Sequence, residues 1–112
     1  MYRAWKRLVN VEAARVWAGQ PLHAGDVRLT VVFLCVDAPI DVDNIIKPIQ
    51  DALAGVVYAD DVTVTDVDCH RRYFSDPIDL ARIPPLLFAP TLDETECVYV
   101  RVEPALPLED SL

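Results

Sequence analysis

Read for its apolar spacing, the chain resolves into a short series of elements. Over residues 2–18, Trp5, Leu8, Val9, Ala13 and Val16 recur at helical intervals, while Arg3, Lys6, Arg7, Glu12 and Arg15 are left for a solvated face. Gly19 and Pro21 end that helix. Residues 27–37, VRLTVVFLCVD, are β-branched and continuously apolar in the middle, which predicts a strand buried on both faces. The next apolar set, Ile45, Ile49, Ala52, Leu53 and Val56, is helical again and stops at Gly55. Pro48 lacks an amide donor and biases Lys47 away from the α region. This predicts that Pro48 lies in the first turn, with DVDNII as an extended lead-in to a helix of about two turns.

Residues 62–74, VTVTDVDCHRRYF, read as a second strand. Its apolar phase slips between Val64 and Val67, the mark of a bulge or an emerging edge. Residues 75–95 carry Pro77, Pro84, Pro85 and Pro90 and read as a long connection. Within it, the apolar run IPPLLFAP is expected either to pack on the protein's own core or to lie at a subunit interface. Residues 97–103, CVYVRVE, alternate as a third strand, and the tail 105–112 is expected to fray.

At 112 residues, 53% of them hydrophobic, the chain suits one globular domain. No apolar run approaches the roughly 20 residues of a membrane span, and the N-terminal stretch lacks the apolar core of a signal peptide. Cys35, Cys69 and Cys97 are scattered and odd in number, which fits reduced thiols and no zinc site. The net charge of −8 sits awkwardly with nucleic-acid binding. The acidity is local, however. Asp41, Asp43, Asp51, Asp60, Asp61, Asp66 and Asp68 fall close together with Lys47 as their one basic neighbour, and Arg71 and Arg72 follow.

Asp41 and Asp43 are two apart, so an extended segment would point both the same way. Asp60 and Asp61 precede the next strand, and one of that adjacent pair should dominate. Three or four such carboxylates would suit Mg²⁺ or Mn²⁺ and metal-assisted phosphodiester hydrolysis, with Lys47 supplying positive charge at the phosphate. Caps and solvated turns rich in aspartate account for the same residues without a metal. A calcium loop does not, because Ile46 and Ala52 stand where its glycine and glutamate belong. Phosphate-cradling glycine loops are excluded by a total of three glycines.

DVDNIIKPIQDALAGVVYADD followed by VTVTDVDCHRRY resembles the RusA-type Holliday junction resolvases. Their core runs Asp-x-Asp-Asn-x-x-Lys, a helical Asp-Ala-Leu, then Asp-Asp before a strand with a basic end. The resemblance covers roughly residues 27–74. It implies an α/β (α+β) fold, a small single domain with a mixed sheet flanked by helices, working as a homodimer. It also implies a cytoplasmic, bacterial or phage-encoded enzyme that cuts branched DNA with Mg²⁺ (Mn²⁺ as a substitute) in recombination and repair. By position, Asp41, Asp43 and Asp61 match the catalytic, metal-holding carboxylates and Lys47 the catalytic lysine. Asp60 is a candidate fourth ligand, Asn44 and Asp51 are supporting residues, and Arg71 and Arg72 are candidate DNA contacts.

The chain departs from the family in three places. It opens almost directly in the first helix, Ala38-Pro39-Ile40 stands where a basic approach is common, and Thr63 takes a position commonly held by glutamine. Together with the acidity, these favour a second reading, a non-catalytic relative acting as a metal-binding or protein-interaction module.

Overall fold

The computed structural model describes residues 12–36 and 43–112, with backbone alone at 43–45 and 111. Of the first helix, expected over residues 2–18, the part before residue 12 lies outside the described residues, as do residues 37–42. Helix α1 is described over residues 12–16. Trp17 still donates its amide to Ala13 at 2.8 Å, and Gly19 then turns the chain at φ 77°.

Strand β1 (Val27–Cys35) is the centre of a three-stranded sheet. Strand β2 (Val64–Tyr73) runs parallel along one side of it, and β3 (Cys97–Pro104) runs antiparallel along the other. The continuous apolar run of β1 follows from this central place, since a strand covered on both faces has no side for polar residues. Arg28 and Thr30 are the exceptions, and Arg28 is the charged one. Its guanidinium pairs with Asp68 on β2, with Nε 2.9 Å from Oδ2. The expected slip in β2 is also present. Val27 pairs with Val64 but Arg28 pairs with Asp66, so one residue of β2 bulges out near the start of an edge strand.

The parallel β1–β2 pair requires a crossover, which helix α2 (Asp43–Leu53) supplies. Ile49, Ala52 and Leu53 are buried on α2. Ile49 and Leu53 pack against Val27, Leu29, Val31, Phe33 and Cys35, and Val57 and Tyr58 close the cluster. Here the expectation from sequence needs correcting. The helix begins at Asp43, two residues before Ile45, so Pro48 lies in the second turn and DNII is helical. The bias that proline imposes on its predecessor is a local preference. Burial of Pro48 and Ile49 outweighs it, at the loss of one backbone bond to the carbonyl of Asn44.

The end of α2 is tight. Ala54 donates to the Gln50 carbonyl at 3.2 Å, and Gly55 to that of Tyr58 at 2.7 Å. Gly55 has φ 81°, a region open to glycine and strained for other residues, and a Cβ there would meet nothing within 4 Å. Gly55→Ala is therefore expected to cost about 1 kcal/mol through conformation alone. Urea denaturation would check this, and an unchanged midpoint would mean the turn has a right-handed alternative.

The connection after β2 holds two 3₁₀ turns (Leu80–Arg82 and Pro85–Leu87) and helix α3 (Phe88–Asp93). Leu87 packs inward, while Leu86, Phe88 and Leu92 remain exposed. Within the stretch expected to fray, Ala105 is tied to the Asp26 carbonyl at 3.1 Å and Leu108–Ser111 forms a helical turn, α4. None of the three cysteines is in a disulfide, and burial pushes the Cys97 thiol pKa up. Among the described residues no helix is long and apolar enough to cross a membrane.

Candidate active site

The carboxylate-rich motif is split between two elements, and the fold brings its halves together at Lys47. After α2, the chain returns through Tyr58, which is fully buried. Its phenol donates to the Gln50 carbonyl at 2.8 Å, pinning the returning strand beneath the last turn of the helix. Burial raises the phenol's pKa, and the nearby Asp61 and Asp51 carboxylates add to the rise. Three residues further on, Asp61 opens a 3₁₀ turn (Asp61–Thr63) that leads into β2.

Lys47 Nζ lies 2.8 Å from Asp61 Oδ2 and 3.0 Å from Asp51 Oδ1. The hydrogen bond to Asp61, then that to Asp51, raises the lysine pKa above its ordinary value. Reciprocally, Lys47 lowers the pKa of Asp61 below the usual carboxylate range. Lys47 is thus held as a cation and Asp61 as an anion across the whole neutral range. Asp51 follows Lys47 by four residues, and the backbone places Asp43 four residues before it. Positions 43, 47 and 51 therefore share one face of α2.

Asp60 and Asp61 take different places, one before the 3₁₀ turn and one in it. Asp60 caps the 3₁₀ turn, its Oδ1 accepting from the Val62 amide at 3.2 Å. Its carbonyl accepts from the Thr63 hydroxyl at 2.7 Å, so threonine at this position staples the turn that presents Asp61. Asp41 lies outside the described residues, and for Asp43 and Asn44 the backbone position alone is described. The extended geometry expected to align Asp41 with Asp43 does not apply at Asp43, because Asp43 is already helical.

Arg71 and Arg72 are not brought together. They are successive residues of β2 and project from opposite faces of the sheet, Arg71 beside Phe33 and Arg72 beside Leu34. Asp68 and Asp66 serve the fold. The first pairs with Arg28, and the second accepts from the Leu106 amide at 3.1 Å.

Sequence reasoning missed Tyr58 and Thr63 as the residues that position Asp61. The signal was a single aromatic in VVYADD, placed where the apolar run meets the acidic pair.

Among the described residues no three histidine, cysteine or acidic side chains converge on one point. Asp51 and Asp61 nevertheless share one ammonium, which leaves an unbalanced negative charge before Asp41 and Asp43 are counted. Hard oxygen donors with surplus negative charge are the donor set that suits a small divalent cation.

No curated protein and no solved structure matches the chain. A family model does: that of endodeoxyribonuclease RusA matches residues 1–79. The matched stretch contains β1, α2, the Asp60-Asp61 turn and all of β2, the elements that carry Lys47 to Asp61. By that match, over well more than half its length, the chain belongs to the RusA endodeoxyribonuclease family.

Proposed function

We propose that this chain is a divalent-metal-dependent endonuclease that resolves four-way DNA junctions in recombination and repair. In this reading residues 1–112 form one catalytic domain, acting as a homodimer in the cytoplasm of a bacterium or phage-infected cell. What carries the reading is the contact between Lys47 on α2 and Asp61 before β2, which unites the two halves of the motif.

Asp41, Asp43 and Asp61 would hold Mg²⁺ or Mn²⁺, with Asp60 a candidate fourth ligand. When bound, the metal supplies Lewis-acid polarisation of the scissile phosphate and a nucleophilic hydroxide. The chain's own part is electrostatic. Lys47, kept protonated by its two carboxylates, is unsuited to abstract a proton and suited to present positive charge to a phosphate oxygen. Asp51 holds Lys47 from the helix side, and Asn44 lies three residues before it in the first turn of α2. Tyr58 and Thr63 fix the turn that presents Asp61.

Dimerisation is supported by Leu86, Phe88 and Leu92, apolar side chains exposed on the connection between β2 and β3. A two-fold pair of such sites suits a two-fold junction and paired nicks. Sedimentation should find a dimer.

The test is a labelled four-way junction incubated with the protein and Mg²⁺ or Mn²⁺ at low salt. Paired nicks are expected. Failure to cut junction, flap or linear duplex with any divalent metal would overturn the enzymatic reading. Metal binding without DNA binding would then favour the non-catalytic module, the reading to which the net charge of −8 lends its weight.

A further inference from the structure

The sheet face opposite the core carries a feature that the carboxylate site does not use. Between this face and the connection that follows β2 lies a groove of about 540 Å³. Thr30 on β1, Arg72 and His70 on β2 and Arg101 on β3 line it from the sheet, and Arg82 and Thr91 line it from the connection. Three of the chain's ten basic residues thus gather here, although the net charge is −8.

The groove's own carboxylates, Asp76 and Asp79, are occupied by backbone. Asp76 accepts from the Tyr73 amide at 2.9 Å and Asp79 from the Ala81 amide at 3.0 Å. Among the described residues neither Arg72 nor Arg82 has a carboxylate at ion-pair distance. Arg101 has only Glu103, at 3.4 Å, the most distant charged pair described. At the floor, Thr30 is 7% exposed and its hydroxyl has no hydrogen-bond partner, and the buried hydroxyl of Thr91 is also unpartnered. A buried polar atom without a partner is costly, and a ligand that accepts from it would remove that cost.

We propose that this groove is a phosphate-binding site, taking a phosphate group on the guanidinium groups of Arg72, Arg82 and Arg101 and on the Thr30 hydroxyl. Planar guanidinium donors match phosphate oxygens in pairs, and a hydroxyl completes a tetrahedral set of acceptors. Thr30 and Arg72 lie within the family match, whereas Arg82, Thr91 and Arg101 lie beyond its end at residue 79, so the matched segment alone does not form the groove. The phosphate is either a free ion or one link of a nucleic-acid strand. The strand source rests on the nuclease reading above, and would give an acidic chain a cationic hold on DNA away from its carboxylates.

The experiment is an amide-resolved NMR titration at constant ionic strength, with sodium phosphate in one arm and a short oligothymidylate in the other, against a sodium chloride control. Saturable shifts are expected at Thr30, at residues 70–72 and at residues 99–101. Arg82→Ala/Arg101→Ala should weaken them by at least about tenfold. Asp61→Asn should leave them unchanged, which separates this site from the carboxylate end. Shifts with phosphate identify a site for the free ion, and shifts with the oligonucleotide identify a strand site. Chloride-like shifts in both arms, or titrations indifferent to the double substitution, would overturn the proposal even if junction cleavage is observed.

Discussion

Asp61→Asn and Asp43→Asn, each made singly, should reduce junction cleavage by about 100-fold or more, since losing even an outer partner of a metal ligand costs about 10- to 100-fold. The fold should be unaffected. Asp61 is a partly exposed residue whose described bond is to an exposed lysine, and exposed ion pairs contribute about 0–1 kcal/mol. Circular dichroism and melting temperature should therefore match the parent while the nicking rate collapses. Asp51→Asn should have a smaller effect, because it holds Lys47 from one side only and Asp61 still holds it from the other. Asp93→Asn, at the end of α3, removes the same charge without touching this cluster and should leave cleavage intact. If Asp61→Asn and Asp93→Asn cut junctions equally well, the carboxylate assignment is wrong.

The pH behaviour follows from the same contacts. The lowered pKa of Asp61 means that its share of the pairing is present above the ordinary carboxylate value of 3.8 and is lost as pH falls through its lower folded value. The raised pKa of Lys47 means that its share is present below 10.5 and is lost as pH rises through its higher folded value. The pair is thus intact across the whole range in which cleavage would be assayed. A cleavage profile should show no lysine titration at or below 10.5.

How far this site could be read from sequence depended on how local its determinants are. The apolar run of β1 announced a central strand because burial on both faces leaves a continuous signature. The phase slip in β2 announced its bulge because side chains alternate with a strict period of two. Asp60 and Asp61 are separated by a different device, since Asp60 caps the 3₁₀ turn that Asp61 opens. Strand alternation does apply to Arg71 and Arg72, both candidate DNA contacts by the resemblance, and it sets them on opposite faces.

The start of α2 was misplaced because a proline rule describes the preference of a dipeptide. The decision belonged to packing between Pro48, Ile49 and residues distant in the chain. The phenol of Tyr58 on Gln50 was likewise hidden, since nothing in a sequence says which carbonyl a buried hydroxyl will find. The gathering of Arg72, Arg82 and Arg101 was the least legible feature of all. It depends on the path of a proline-rich connection whose composition predicts only that it is irregular.

The largest effect on stability should come from Leu29→Ala. Leu29 is fully buried in the first half of the central strand, opposite Val67 on β2 and Val102 on β3, on the face that packs beneath α2. Truncation there removes apolar contacts and leaves a cavity that strands on both sides prevent from closing, at a cost of about 2–5 kcal/mol. Domains of this kind are stable by about 5–15 kcal/mol, so the variant gives up a large part of its margin. Val67→Ala is the control. It removes a comparable side chain from the same register row, but Val67 is 40% exposed on an edge strand and should cost under about 1 kcal/mol. Urea titrations of the two variants should differ in midpoint and share a slope, since the same surface unfolds in both. Equal midpoints would mean that the apolar face of β1 is not the core that seats α2, and Lys47 would lose the platform that carries it to Asp61. Below its melting transition Leu29→Ala should still nick junctions, because the substitution lowers the population of folded molecules and leaves the Lys47–Asp61 contact in each of them.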